Sequence, residues 1–235
     1  GLTGSFLISK KPNVLFVEHS IISNEYNHQS FVFQCIVKLS IRFFYNFAAR
    51  IICVSNGVAN DLRKLGVKQS KLEVILNPVA ISSEGSDNNE YDQYSSNWKD
   101  FSGIKILSVG NLRINKNYPN LLKALKILRV KYNQDFISLI AGDGPEKENL
   151  KSLIQDYSLE GNVILLGGGQ NTESLYRNAD LFVLSSDYEG FGMVLVEALG
   201  YGKTIVATDC ESGPREILGN SEYGYLSPMD NPERL

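Results

Sequence analysis

Two carboxylates bracket a glycine-bearing turn in the stretch Asp187-Tyr188-Glu189-Gly190-Phe191-Gly192-Met193-Val194-Leu195-Val196-Glu197-Ala198. The backbone N–H groups of Phe191, Gly192, Met193 and Val194 are the donors expected in the first turn of a helix starting here. Such donors hold anions or sugar hydroxyls. On one continuous helix, residues eight apart lie about 80° apart, so Glu189 and Glu197 do not form a facing pair. The glycines instead set Glu189 before the helix and Glu197 inside it, which separates their tasks. A second cluster is Arg113 with Lys116. Two cations over helix N-termini suit a diphosphate; a solvated basic turn is the plainer alternative. Gly110, Gly142, Gly144 and Gly167 close other apolar runs and let backbone approach a ligand, with ordinary turn chemistry as the alternative. None of them spells the dinucleotide fingerprint or a phosphate loop, which disfavours bound NAD and P-loop hydrolysis of ATP. His19 follows the β-like run 13–17, where a histidine meets a ligand or simply sits in a turn.

The elements that must position these groups alternate along the chain. Residues 51–54, 72–76, 104–110, 136–141, 163–166, 181–184 and 204–208 read as strands. Residues 58–65, 118–131, 146–157, 173–177, 193–199 and 214–218 read as helices, with Ser55 or Asn56 capping the first and Thr172 capping the fourth. Strand, turn and helix repeating at this spacing argue a doubly wound α/β sheet, whose ligands bind at the carboxyl ends of the strands. The later half supplies five such strands. Residues 31–50 read as an aromatic helix with Phe31, Cys35, Leu39 and Phe43 on one stripe. That stripe implies either a buried domain helix or one lying on a membrane surface with its basic residues at the headgroups. Residues 82–99 are polar and rich in Ser, Asn and Asp, and the expected linker or inserted loop spans 82–103. The expected domains are therefore 1–81 and 104–235.

Composition narrows the function classes. The 235 residues are 43% hydrophobic and 21% charged, with a formal net charge of −3. This is a globular balance and argues against a dedicated nucleic-acid binder. Cys35, Cys53 and Cys210 form no Cys-x-x-Cys pair, and with His19 and His28 they spell no metal site. A reducing compartment is the simpler reading. No basic leader opens the chain, nor does an initiator methionine, and a fragment of a longer enzyme is expected.

The turn Glu-Gly-Phe-Gly-Met-Val-x-x-Glu-Ala, between a strand and a helix, resembles the Glu-x7-Glu motif of the retaining GT-B glycosyltransferases of family 4. Other pieces match in order. Residues 108–117 resemble that family's first donor-domain loop, 141–145 its Gly-x-Gly-Pro turn, 178–186 the strand leading to the motif, and 209–218 the segment before its Glu-Ile pair. The match covers most of 104–228, and residues 11–80 resemble the end of the acceptor-side domain. The implied fold is GT-B-like, with Rossmann-like doubly wound parallel sheets and an incomplete N-terminal domain. One departure is Asn111, where many members have an arginine directly after the loop glycine.

The resemblance implies a nucleotide-diphosphate sugar donor, UDP-linked by analogy, and no cofactor or metal. By it, Arg113 and Lys116 hold the diphosphate, Glu197 the ribose, and Glu189 the donor sugar, with His19 near that sugar. Gly110, Asn111, Gly142, Gly144, Gly167, Gly190, Phe191, Gly192, Met193 and Val194 complete the donor site. The implied reaction transfers a hexose or N-acetylhexosamine, with retained configuration, to a glycan or lipid-linked acceptor. It belongs to polysaccharide, lipopolysaccharide or glycoconjugate synthesis at the cytoplasmic face of the membrane. A nucleotide-sugar isomerase and a non-catalytic sugar-nucleotide binding module are the alternatives.

Overall fold

Short apolar runs ending in polar or glycine-bearing turns become two parallel sheets. The structure, a computed structural model, describes residues 13–79, 95–169 and 171–235. By contact the chain divides into two units. One is built from the chain up to Pro78 with Tyr188–Phe191 and Glu211–Glu216; the other holds Val79–Asp187, Gly192–Cys210 and Ile217–Leu235.

In the first unit, β1 (Leu15–Glu18), β2 (Arg50–Cys53) and β3 (Leu72–Val74) form a parallel sheet in that order. Its register sets Phe16 beside Ile51 and Ile51 beside Leu72. A short helix α1 (Ile22–Tyr26) follows β1 and has no counterpart in the sequence reading. Helix α2 (Phe31–Tyr45) starts at Ser30, whose side chain accepts from Phe33 N, and stops before β2 claims Arg50. The expected helix 31–50 is thus shortened. Of the two alternatives for the Phe31, Cys35, Leu39 and Phe43 stripe, burial in the domain is not what the structure shows. Phe31, Leu39 and Phe43 are 79%, 65% and 56% exposed, and Cys35 is exposed as well. The helix is apolar on two sides: the side carrying Ile41 and Tyr45 packs inward, with Tyr45 5.1 Å from Phe16 between ring centres. Periodicity finds such stripes and cannot choose between them. Helix α3 (Asn56–Lys64) is capped by Ser55, whose Oγ accepts from Val58 N at 3.1 Å. Gly66, in the left-handed region at φ +93°, follows it.

The second unit is a six-stranded parallel sheet of β4 (Ile104–Val109), β5 (Phe136–Ala141), β6 (Val163–Gly167), β7 (Leu181–Leu184), β8 (Thr204–Thr208) and β9 (Tyr225–Ser227). Its order is β6-β5-β4-β7-β8-β9. The five strands expected here omit β9, a three-residue edge strand between Gly224 and Pro228 that is too short to show alternation. Helices α4 (Tyr118–Val130) and α5 (Lys147–Asp156) supply one apolar layer, α6 (Thr172–Asn178) and α7 (Met193–Gly200) the other. The pleat sends Ile106 and Ile140 to the first layer and Leu107 and Leu139 to the second. The cap of α6 is Asn171 rather than Thr172: its side chain accepts from Glu173 N at 3.1 Å. Most of the expected linker lies outside the described residues. Its described end brings Trp98 into the second core, 2% exposed, with Nε1 donating to Ile137 O at 3.2 Å. A four-residue helix, α8 (Pro214–Ile217), precedes β9 and lies mostly in the first unit, and none of the helices among the described residues is long and apolar enough to cross a membrane.

Candidate functional site

The second sheet places its turns by topology. β4 is paired with β5 on one side and β7 on the other, so the chain leaves β4 at the point where strand order reverses. In open α/β sheets that crevice is where ligands sit. A cavity of about 260 Å³ opens there, lined by Val109, Gly110, Asn111, Ala141, Gly142, Asp143, Gly167, Gly168, Gly169 and Thr172. The three glycine-bearing turns form its rim because they stack on one another. Gly110 N donates to Ala141 O at 2.9 Å and Gly142 N to Gly167 O at 2.8 Å. Gly142 has φ +151°, and a Cβ there would lie 1.9 Å from the Gly110 carbonyl oxygen. Gly144 does not line the cavity; it packs on Leu112, whose oxygen would be 2.4 Å from an added Cβ. Lys147, bonded at 3.0 Å to the Asp143 carboxylate, holds that group below its usual range.

The two expected cations part company. Lys116 reaches back to the first turn: a Cβ built on Gly110 would meet its Nζ at 3.6 Å and the Tyr118 hydroxyl at 3.2 Å. Tyr118 OH donates to Gly110 O at 3.1 Å, so the turn and α4 are tied together. Arg113 is exposed and lines a separate cavity of about 140 Å³ with Ile114, Asn117, Tyr118, Glu146 and Asp187. Asn117 Nδ2 donates to Asp187 at 2.7 Å and to Asp230 at 3.0 Å. Burial pushes the Asp187 carboxyl up, with Asp230 adding to the effect.

Helix α7 starts at Met193, after Gly192 in the left-handed region at φ +93°. Met193 and Val194 are therefore first-turn residues as expected, whereas Phe191 lies outside the helix. Glu197 lies one turn into α7, and its Oε2 accepts from Tyr176 OH at 2.9 Å.

In the first unit, Glu189 is 8% exposed and stands beside Gly190, which is pressed against the end of β1. A Cβ on Gly190 would lie 1.7 Å from His19 O. The Gly190 carbonyl accepts from Ser55 Oγ at 2.6 Å and from Ser212 Oγ at 2.9 Å. His19 itself is exposed, and its backbone N donates to Glu18 Oε1 at 3.1 Å. Glu18 Oε2 accepts from Tyr45 OH at 2.9 Å. Burial with that carboxylate nearby raises the Tyr45 phenol, and the same causes push the Cys53 thiol up to about 11. The Glu216 carboxylate spans the start of α3, accepting from Asn56 N at 3.0 Å and Gly57 N at 3.1 Å. Sequence reasoning missed Glu18, Tyr45, Ser212, Tyr118 and Tyr176. Each is a single polar residue whose partner lies elsewhere in the chain, and no local pattern announces it.

The family model described as "Glycosyl transferases group 1" matches residues 96–235, and "Glycosyltransferase Family 4" matches residues 3–83. One similar protein is the N-acetylgalactosamine-N,N'-diacetylbacillosaminyl-diphospho-undecaprenol 4-alpha-N-acetylgalactosaminyltransferase of Campylobacter jejuni. It is 31% identical over 199 residues, covering 84% of this chain and 52% of that protein. The amylovoran biosynthesis glycosyltransferase AmsD of Erwinia amylovora is 29% identical over 181 residues, covering 77% of this chain and 49% of that protein. The chain thus spans about half the length of the curated relatives it matches. Among solved structures, Anabaena Alr3699/HepE in complex with UDP superposes with a TM-score of 0.80 at 22% identity, over 100% of this chain and 63% of that one. That likeness establishes the fold as GT-B-like.

Proposed function

Since the chain belongs to the glycosyl transferases group 1 family, we propose that it transfers a hexose or N-acetylhexosamine from a UDP-sugar to a glycan or lipid-linked acceptor, with retention at the anomeric carbon. The observation that carries this reading is the glycine-rimmed cavity at the strand-order reversal, with the Lys116 ammonium beside Gly110. Support also comes from the named relatives, one acting on a diphospho-undecaprenol glycan and one in amylovoran synthesis.

In the proposed reaction the bond from the anomeric carbon to the diphosphate oxygen breaks as the bond to the acceptor oxygen forms on the same face. The acceptor's hydroxyl proton passes to the departing diphosphate. Lys116 stabilises the charge that develops on that diphosphate; removing one such preorganised donor costs roughly 10²–10³ in kcat. Arg113 is the weaker half of the pair, since it lines a separate cavity while Lys116 lies beside the rim glycine Gly110. Glu197 binds the ribose hydroxyls and Glu189 the donor sugar, with His19 alongside Gly190. Asn111 occupies the cavity rim where many family members carry a cation, which leaves Lys116 as the principal charge.

The test is release of nucleoside diphosphate from a panel of donors, with and without lipid-linked acceptors. Acceptor-dependent release with the product's anomeric signal matching the donor's is the expected result. Release without acceptor dependence, or conversion of one sugar nucleotide into another, sinks the transferase reading in favour of an isomerase. Binding with no product of either kind leaves a binding module.

A lipid-linked acceptor also requires approach to a membrane. The outward row of α2, with Leu39 and Phe43 flanked by Lys38 and Arg42 and no acidic residue in the helix, is the surface proposed to meet an anionic leaflet at the cytoplasmic face. Vesicles containing phosphatidylglycerol should sediment the protein, and Leu39→Glu should release it. Equal behaviour of the two proteins removes α2 from that role.

A further inference from the structure

Tyr176 is buried at 1% exposure inside the second unit, yet it ends in a hydroxyl. Its ring is fixed on two sides. It stacks on Tyr201 with centroids 5.4 Å apart and planes 8° from parallel, and it leans on Phe182 at 5.6 Å. Arg177 lies over the far partner, its guanidinium 5.3 Å from the Tyr201 ring centre. The stack leaves the hydroxyl little freedom. It lies 2.9 Å from Glu197 Oε2 and 3.4 Å from Val194 O. A phenol has one proton, and the shorter contact to a charged acceptor claims it.

We propose that Tyr176 is a positioning residue for Glu197: by holding Oε2 it locks the carboxylate in the orientation that receives the ribose diol, and so selects ribonucleotide over deoxyribonucleotide donors. The inference rests on the ribose role given to Glu197 above. Three physical facts favour it. The carboxylate still has acceptor capacity on both oxygens after taking one phenol proton. Glu197 is on a helix, so its backbone is fixed and only side-chain rotamers remain to be selected. Burial and the adjacent carboxylate raise the phenol well above its usual range, so it stays a donor at neutral pH.

The experiment titrates the protein with UDP, GDP and ADP by calorimetry. It then takes the tightest of them and its 2′,3′-dideoxy counterpart to Tyr176→Phe and Glu197→Gln. Tyr176→Phe keeps the stacked ring and removes only the O–H. The expected result is a roughly five- to thirtyfold loss of affinity for the ribonucleotide, the range that one or two lost interactions of ordinary strength produce. With the dideoxy ligand, both variants should match the unaltered protein. A structural defect would weaken both ligands alike, and that outcome overturns the proposal. If Glu197→Gln weakens the ribonucleotide and Tyr176→Phe does not, the positioning role fails while the ribose reading stands. If neither variant discriminates between the two ligands, the ribose reading itself fails and takes the inference with it.

Discussion

Replacing Gly142 by alanine tests whether the stacked turns are what make the cavity. The added Cβ would lie 1.9 Å from the Gly110 carbonyl oxygen. Carbon-to-oxygen contacts settle near 3.3–3.6 Å, so the two turns must separate by about 1.4 Å or more. The backbone at φ +151° adds its own cost, because an L side chain is disfavoured there by about 1–2 kcal/mol. Forcing an extra carbon into a packed site typically costs about 1–3 kcal/mol. Together these give a loss of roughly 2–5 kcal/mol, or a fall in melting temperature of roughly 4–20 °C for a chain of this size. Separation also strains the bonds from Gly110 N to Ala141 O and from Gly142 N to Gly167 O. The thermal shift produced by UDP should therefore shrink as well. Gly161→Ala is the control, since no heavy atom lies within 4 Å of its added Cβ. It should melt within about 2 °C of the parent, because surface changes away from packed features stay near ±0.5 kcal/mol. A Gly142→Ala protein that melts with the control and keeps its full UDP shift would refute the reasoning.

Other expectations come from the same coordinates. Cys35 is exposed, whereas Cys53 and Cys210 are buried and the Cys53 thiol is pushed up to about 11. Native labelling with iodoacetamide at neutral pH, read by peptide mass, should modify Cys35 first; comparable labelling of Cys53 contradicts the burial. Phe182 is 0% exposed, so Phe182→Ala should lose about 3–5 kcal/mol in urea unfolding, and a loss below about 1 kcal/mol argues against the packed core. For Asp187 the folded pKa is raised, so the folded state holds the proton more tightly than the unfolded chain. Stability from this group therefore falls as pH rises through the window above the ordinary value of 3.8. Asp187→Asn should gain on the parent as pH rises through that window, and a pH-independent difference in unfolding midpoints excludes the effect.

Much of the second unit was legible because most of its strands are predominantly apolar runs that end in polar or glycine-bearing turns. Residues 136–141 and 204–208 carry such signals, and β5 and β8 lie there. The helix starts were legible to within a residue or two for the same reason, since caps are local chemistry. What escaped depends on distance along the chain. β9 is an edge strand of three residues, and it gains its identity from pairing with β8. The inward side of α2 is chosen by Phe16, outside the helix. Arg113 and Lys116 are three residues apart, yet Arg113 is extended backbone before the tight turn Ile114–Lys116, and their side chains have different neighbours. Sequence proximity suggested one diphosphate clamp; their side-chain neighbours could not be read from spacing alone. Glu189 and Glu197 were separable from the glycines between them. Tyr176, on a different helix 21 residues earlier, gave no sign that its hydroxyl ends on Glu197.

The order of the second sheet also sets a timetable for synthesis. β4, β5 and β6 come from one continuous stretch and can assemble as soon as it has emerged. The other edge of β4 then waits for β7, whose Leu181 pairs with Ile106. The half-sheet is complete only at Gly167, so 13 residues, or roughly 1–3 s at about 5–20 residues per second, pass before Leu181 with an open strand edge on the nascent chain. The half-sheet must survive that interval without pairing with a neighbour, and a slow ribosome or a crowded polysome lengthens the risk. The yield of folded protein should therefore respond to elongation rate between codons 168 and 181 more than to the rate beyond codon 210.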